Sequence, residues 1–184
     1  MTNRTPSNLR ALIAIAALAA SVAIPIGADA AQPADPAITG ALPTRANRIV
    51  GLWETRGNLG LCTGGPLFIQ VVNTLLFHAG GTVNENAPFP PQGTMNVGGI
   101  PGLYQRNQGH GVWSYDPATD EYAFHIRFDN FVDNVYHGYS TVDRTIVIDG
   151  SGVQTFGPVR AARYAASGTL ISEFCGEAVS KRFE

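Results

Sequence analysis

His125, Arg127 and Asp129 occupy alternate positions in the stretch Glu121 to Asp129. In an extended chain they share one face, so a proton carrier, a cation and a carboxylate stand in a row. Tyr139 adds a phenol on a later stretch. Such a set could bind a ligand or take part in a reaction. The opposite face of the same stretch carries Tyr122, Phe124, Ile126 and Phe128. If the polar face turned inward, buried charge would cost several kcal/mol and would imply a ligand or a reaction. Composition favours the other orientation, with the aromatic face in the core and the polar face in water.

The remaining chemistry-bearing residues are sparse. His78, His110, His125 and His137 lack the spacing of a metal site, and no metal or other cofactor is expected. His125 and His137 fall on adjacent strand-like stretches and could approach one another. No Gly-x-Ser-x-Gly occurs, and no carboxylate pair stands out for glycoside chemistry. The run Gly60-Leu61-Cys62-Thr63-Gly64-Gly65 lacks the Gly-Lys-Ser/Thr ending of a phosphate loop. Cys62 and Cys175 are the only cysteines. Neither has a basic neighbour that would activate a thiol, so a disulfide is expected if the chain is exported.

Export is expected from the N-terminus. Arg4 and Arg10 precede an apolar run from Ala11 to Gly27, broken at Pro25, and Ala28-Asp29-Ala30 completes a signal-peptide pattern cleaved after Ala30. The mature protein would then be periplasmic or extracellular, with no stable membrane insertion. Loss of Arg4, Arg10 and Asp29 takes Lys plus Arg from 12 to 10 and Asp plus Glu from 14 to 13, so the net charge moves from −2 to −3. A mildly acidic chain with one lysine, Lys181, offers no basic patch, which argues against nucleic acid as a partner. Ala31 to Asn47, rich in Ala and Pro, reads as a flexible leader, and residues 48–184 as one domain.

The elements that would position these groups are strands. Arg48 to Arg56 is β-branched and aromatic, with Ile49, Gly51, Trp53 and Thr55 on one face. Asn58 to Pro66 reads as a glycine-rich loop, and Leu67 to Phe77 and Thr82 to Asn86 as a hairpin. Ala87 to Gln108, with Pro88, Pro90, Pro91 and Pro101, is a long irregular segment with apolar anchors at Phe89, Met95, Ile100, Leu103 and Tyr104, read as a partly ordered flap. Strands follow over Gly109 to Tyr115, Glu121 to Asp129, Val135 to Ile148, Gly152 to Tyr164 and Thr169 to Arg182, with a hairpin signal at Asp149-Gly150. About eight strands in strict hairpin succession, and no helix after the leader, predict an all-β, antiparallel up-and-down barrel.

With that pattern in place, Gly51-Leu52-Trp53 at the start of the first strand resembles the signature of lipocalins and the wider calycin-like barrels. Arg182 stands where those proteins place a basic residue across the Trp, and Cys62 with Cys175 resembles their frequent bridge. Leu75-Leu76-Phe77, Gly80-Gly81-Thr82-Val83 and Gly109-His110-Gly111-Val112-Trp113 look like bacterial exported members of that group. The C-terminal helix and the Thr-Asp-Tyr-type motif of true lipocalins are not in evidence, so no particular ligand is implied. The resemblance implies barrel closure by Gly51, Trp53 and Arg182. It also makes the barrel mouth a habitual site for a small apolar or amphipathic ligand. Trp53, Trp113, Phe124 and Tyr139 are the expected lining. Two other expectations stand beside this one. A cyclase or isomerase resembling allene oxide cyclase would use His125, Arg127 and Asp129 with Tyr139. A surface protein or inhibitor would use the flap as a contact loop.

Overall fold

The computed structural model describes residues 44–95, 97 and 100–183. The expected signal peptide and the leader up to Pro43 lie outside the described residues. A short 3-10 helix, η1 (Arg45–Ile49), leads into ten strands: β1 (Gly51–Leu61), β2 (Ile69–Phe77), β3 (Thr82–Asn86), β4 (Thr94–Met95), β5 (Leu103–Arg106), β6 (Gly109–Asp116), β7 (Glu121–Val132), β8 (Val135–Ile148), β9 (Gln154–Ala165) and β10 (Leu170–Arg182). Eight of them, β1, β2, β3, β6, β7, β8, β9 and β10, form a closed antiparallel up-and-down barrel. Closure is made by β1 and β10, whose register runs from Trp53 opposite Arg182 to Leu61 opposite Phe174.

Period-two alternation explains the interior. On β7 Tyr122, Phe124, Ile126 and Phe128 are buried while Ala123, His125 and Arg127 are exposed. β1 buries Trp53, Thr55 and Leu59 and exposes Glu54, Arg56 and Asn58. The aromatic face therefore fills the barrel, where each ring removes a large apolar area from water.

The segment read as a flap is more structured than its prolines suggest. β4 and β5 form a small hairpin, and β5 continues along β7 where β6 leaves off: Arg106 lies opposite Asn130 and His110 opposite Arg127. Between the two pairings, the Asn107 amide donates to the Asp129 carbonyl at 3.3 Å. β5 and β6 thus act as one interrupted strand against the long β7.

Both ends of β1 differ from the sequence reading. Arg48 to Val50 does not begin β1. Arg45–Ile49 is a 3-10 turn that crosses one end of the barrel and presents its carbonyls to interior side chains. The Trp53 indole donates to the Ile49 carbonyl at 2.7 Å, and the Tyr122 hydroxyl donates to the Arg45 carbonyl. A buried indole N–H needs such an acceptor, and the turn supplies it. The second difference is Asn58 to Leu61, read as the start of a loop but placed inside β1, which also takes in Gly57. Gly57 is there for close approach: a Cβ on it would meet the Ala178 Cβ and the Glu177 carbonyl at 2.7 Å. The Cys62–Cys175 disulfide is present and ties the end of β1 to β10 across 113 residues of sequence. Removing a bridge of this kind from a small domain costs about 2–5 kcal/mol.

Candidate functional site

The two ends of the barrel differ. At one end the start of β1, the end of β8 and the end of β10 meet η1. Trp53, Phe77, Val83, Tyr122 and Ile146 pack there as a continuous core with Ile49. Arg182 seals it. Its guanidinium lies 4.3 Å from the Trp53 ring centroid and donates to the carbonyls of Val50 at 2.9 Å, Gly152 at 3.2 Å and Arg48. Gly51 makes room. Its φ is +129°, and a Cβ would stand 2.8 Å from the Arg182 guanidinium.

At the other end the barrel is hollow. A cavity of about 330 Å³ runs inward between the β-strands, beside a second, smaller core built on Leu59, Val159 and Ala178. Its walls are mainly apolar, with Val71, Phe124, Phe128, Val142 and Phe174 among them, and Ala87, Phe89, Val97 and Ile100 from the segment before β5 line it as well. Phe89 is held by an edge-to-face contact with Tyr104, ring centroids 5.5 Å apart. Of the flap's expected anchors, Ile100 and Tyr104 are buried, whereas Met95 and Leu103 are exposed.

Of the polar groups that break the apolar lining, three bear on its chemistry most. Glu85 on β3 and Arg106 on β5 form a buried ion pair. Asn73 donates to the same carboxylate at 2.9 Å, and the Arg106 guanidinium stacks 3.3 Å from the Phe128 ring centroid. This pair is satisfied on both sides, as buried charge requires. Tyr104 donates to Asn130 at 2.7 Å, and Asn130 donates to Ser140 at 2.8 Å. Burial pushes the Tyr104 phenol up to about 12, so at neutral pH it is a donor.

Arg144 on β8 is the third, and its surroundings differ. The residue is 4% exposed. It donates to the Ala178 carbonyl at 2.8 Å and to the Ser180 hydroxyl at 3.2 Å, and its guanidinium lies 5.7 Å from the Phe124 ring centroid. Its Nε has no partner, and among the described residues no carboxylate pairs with it. Burial pulls its pKa down to about 10, which still leaves it charged at neutral pH. Arg163 on β9 also lines the cavity, nearer the open end. One of its nitrogens is 3.3 Å from His137, and its pKa too is lowered by burial.

Of the expected lining, Phe124 faces the cavity. Trp53 belongs to the sealed end, and Trp113 packs against that same core with its indole donating to the His78 carbonyl at 2.9 Å. Tyr139 points away from the interior. It stacks on Tyr164 at 4.8 Å with Arg127 over its ring at 4.0 Å. The reason is register, since Ser140 and Val142 take the inward positions of β8 and leave Tyr139 outside.

The catalytic candidates are likewise outside. His125, Arg127 and Asp129 have side chains 52%, 55% and 36% exposed. His125 pairs with Asp143 across the outer face at 2.7 Å, and Arg127 with Asp129 at 3.5 Å. The observation that motivated a cyclase is therefore gone, because the aromatic half of β7 fills the interior. His125 and His137 do not approach one another: Asp143 stands opposite His125, and His137 lies at the irregular start of β8.

Arg144 and Glu85 went unnoticed in the sequence, yet a signal for both was present. Arg144 alternates with Val142, Ile146 and Ile148, and Glu85 with Val83, so both are charges at apolar positions of a period-two pattern. Compared with protein-family models, with curated proteins and with solved structures, the chain has no match in any of the three, and what the structure itself establishes is the closed eight-stranded barrel.

Proposed function

We propose that this protein is an exported, lipocalin-like barrel that binds a small amphipathic molecule in its cavity. The observation that carries the proposal is the cavity of about 330 Å³ inside one end of a barrel whose other end is packed solid. The volume falls within the range of small-molecule sites, and an apolar wall with a few placed polar groups is their usual composition. A void of this size costs stability unless something fills it, because its walls lose contacts on one side. The disulfide fits an oxidising compartment, in line with the expected signal peptide.

A carrier is favoured over a cyclase because the acid–base set lies on the outer face. It is favoured over a contact protein because residues of the flap, such as Phe89 and Ile100, turn toward the cavity. Native mass spectrometry of protein purified from its own source is the test. A bound mass released on denaturation is expected, and Ala161→Trp, which places a large ring in the cavity, removes it. Protein that is always empty overturns the proposal.

A further inference from the structure

We infer that the ligand carries a carboxylate and enters head first, its charge pairing with Arg144 deep in the barrel and its apolar chain running back toward the open end. The inference rests on the carrier reading and adds the chemistry of the head group.

A guanidinium has five N–H donors. In Arg144 the protein engages two nitrogens, through Ala178 and Ser180, and leaves Nε without an acceptor. An interior charge with no counter-charge is a costly arrangement. The same barrel shows the usual solution a few strands away, where Glu85 pairs with Arg106 and Asn73 donates to the Glu85 carboxylate. No comparable acid reaches Arg144 among the described residues, and Ser180, which could have been an acid, is instead tied to Thr55 at 2.8 Å. An anion from outside supplies what the chain omits. A carboxylate matches the planar fork of a guanidinium in shape as well as charge.

Depth follows from the register. Arg144 stands opposite Phe124 on β7 and Val159 on β9, and its head reaches Ala178 and Ser180 on β10. Thr55 and Ser180 form the layer directly above Trp53 and Arg182, so the head group would rest on the floor of the cavity. The walls above are apolar: Leu59, Val71, Val142 and Phe174. Taking about 30 Å³ as the share of one water, the cavity holds on the order of eleven groups of that size, which suits a single chain of about ten carbons. Arg163 is the competing cation, with a buried Nε that also lacks a partner, but it is less buried than Arg144, lies toward the opening and meets His137 through a terminal nitrogen.

The experiment is calorimetric titration of the purified protein with decanoate, decanol and decyltrimethylammonium. Decanoate binding at least tenfold tighter than decanol, with the cationic chain weakest, is expected. Arg144→Met should erase the preference for decanoate over decanol while retaining decanol binding, Arg144→Lys should restore part of it, and Arg163→Met should leave it intact. Equal affinity for decanoate and decanol in the parent protein overturns the carboxylate inference and spares the carrier reading. A preference lost in Arg163→Met and kept in Arg144→Met overturns the placement of the head group. Failure of all three probes to bind removes the carrier reading itself. If neither Arg144 variant folds, the ranking of the three probes on the parent protein decides the head-group charge, and the Arg163→Met titration decides its place.

Discussion

Arg182 and Arg144 both project from barrel strands toward the interior, one within the sealed end and one on the floor of the cavity next to it, and the protein treats them differently. Arg182 stacks on Trp53, and each of its three nitrogens reaches a backbone carbonyl. Arg144 is the more buried of the two, yet it keeps an unpartnered nitrogen and borders empty space. At the sealed end, the Trp53 indole, the Tyr122 hydroxyl and the Arg182 guanidinium are consumed by the fold, and packing against Phe77, Tyr122 and Ile146 is continuous. At the hollow end, one ion pair is complete, and Arg144 and Arg163 line the cavity with no carboxylate beside them among the described residues. The lesson is that burial alone does not separate a structural charge from a binding charge. Whether its donors are all used does.

The contrast can be attacked from the sealed end first. Trp53→Ala removes the central ring of the larger core and the platform under Arg182, and should cost about 3–5 kcal/mol in denaturant unfolding. A loss below about 1 kcal/mol would mean that the sealed end does not carry the fold. Next comes the completed pair of the hollow end. Glu85→Leu leaves Arg106 buried without its acid and should cost about 3–5 kcal/mol, slightly less than or equal to the first because Phe128 still covers the guanidinium. The double variant Glu85→Leu with Arg106→Met should recover most of that loss, and a cycle of the four proteins measures the coupling.

Arg144→Met sharpens the comparison most. With no acid to strand, removing this charge should leave unfolding stability unchanged or raise it by about 1–4 kcal/mol, the outcome seen when buried charge is replaced by apolar volume. A destabilisation of several kcal/mol, measured by the same denaturant titration, would place Arg144 among the structural charges with Arg182. The smallest effect is expected on the outer face. His125→Ala removes an exposed pair with Asp143 and should change stability by no more than about 0.5 kcal/mol, with thermal melts of the two proteins superimposing.

Much of the barrel was readable because strands announce themselves by alternation. Val135–Ile148 appears with the boundaries expected for it, and Glu121 to Asp129 extends by a single turn of alternation to Val132. The misreadings have separate physical causes. Gly60 signals a loop locally, but it sits in β1, where the Pro66 carbonyl would stand 2.6 Å from a Cβ. Arg48 to Val50 has strand-forming residues, but a turn there satisfies the Trp53 indole and the Arg182 guanidinium. At the site, Phe124 was legible as an inward aromatic. Tyr139 and Trp113 were not, since aromatic character says nothing about which parity of a strand faces a cavity and which faces solvent or core.

By itself the amino-acid order determined the eight barrel strands, the hairpin succession, the aromatic face of β7 and the pairing of the only two cysteines, because each depends on neighbours within a strand or on a choice with one answer. Tertiary structure alone decided that Arg106 meets Glu85 and that Arg144 meets no acid, because those relations join β3 to β5 and β8 to β10 across the barrel. It also decided where the interior is full and where it is empty. A void is a property of all the walls at once, and no single strand encodes it.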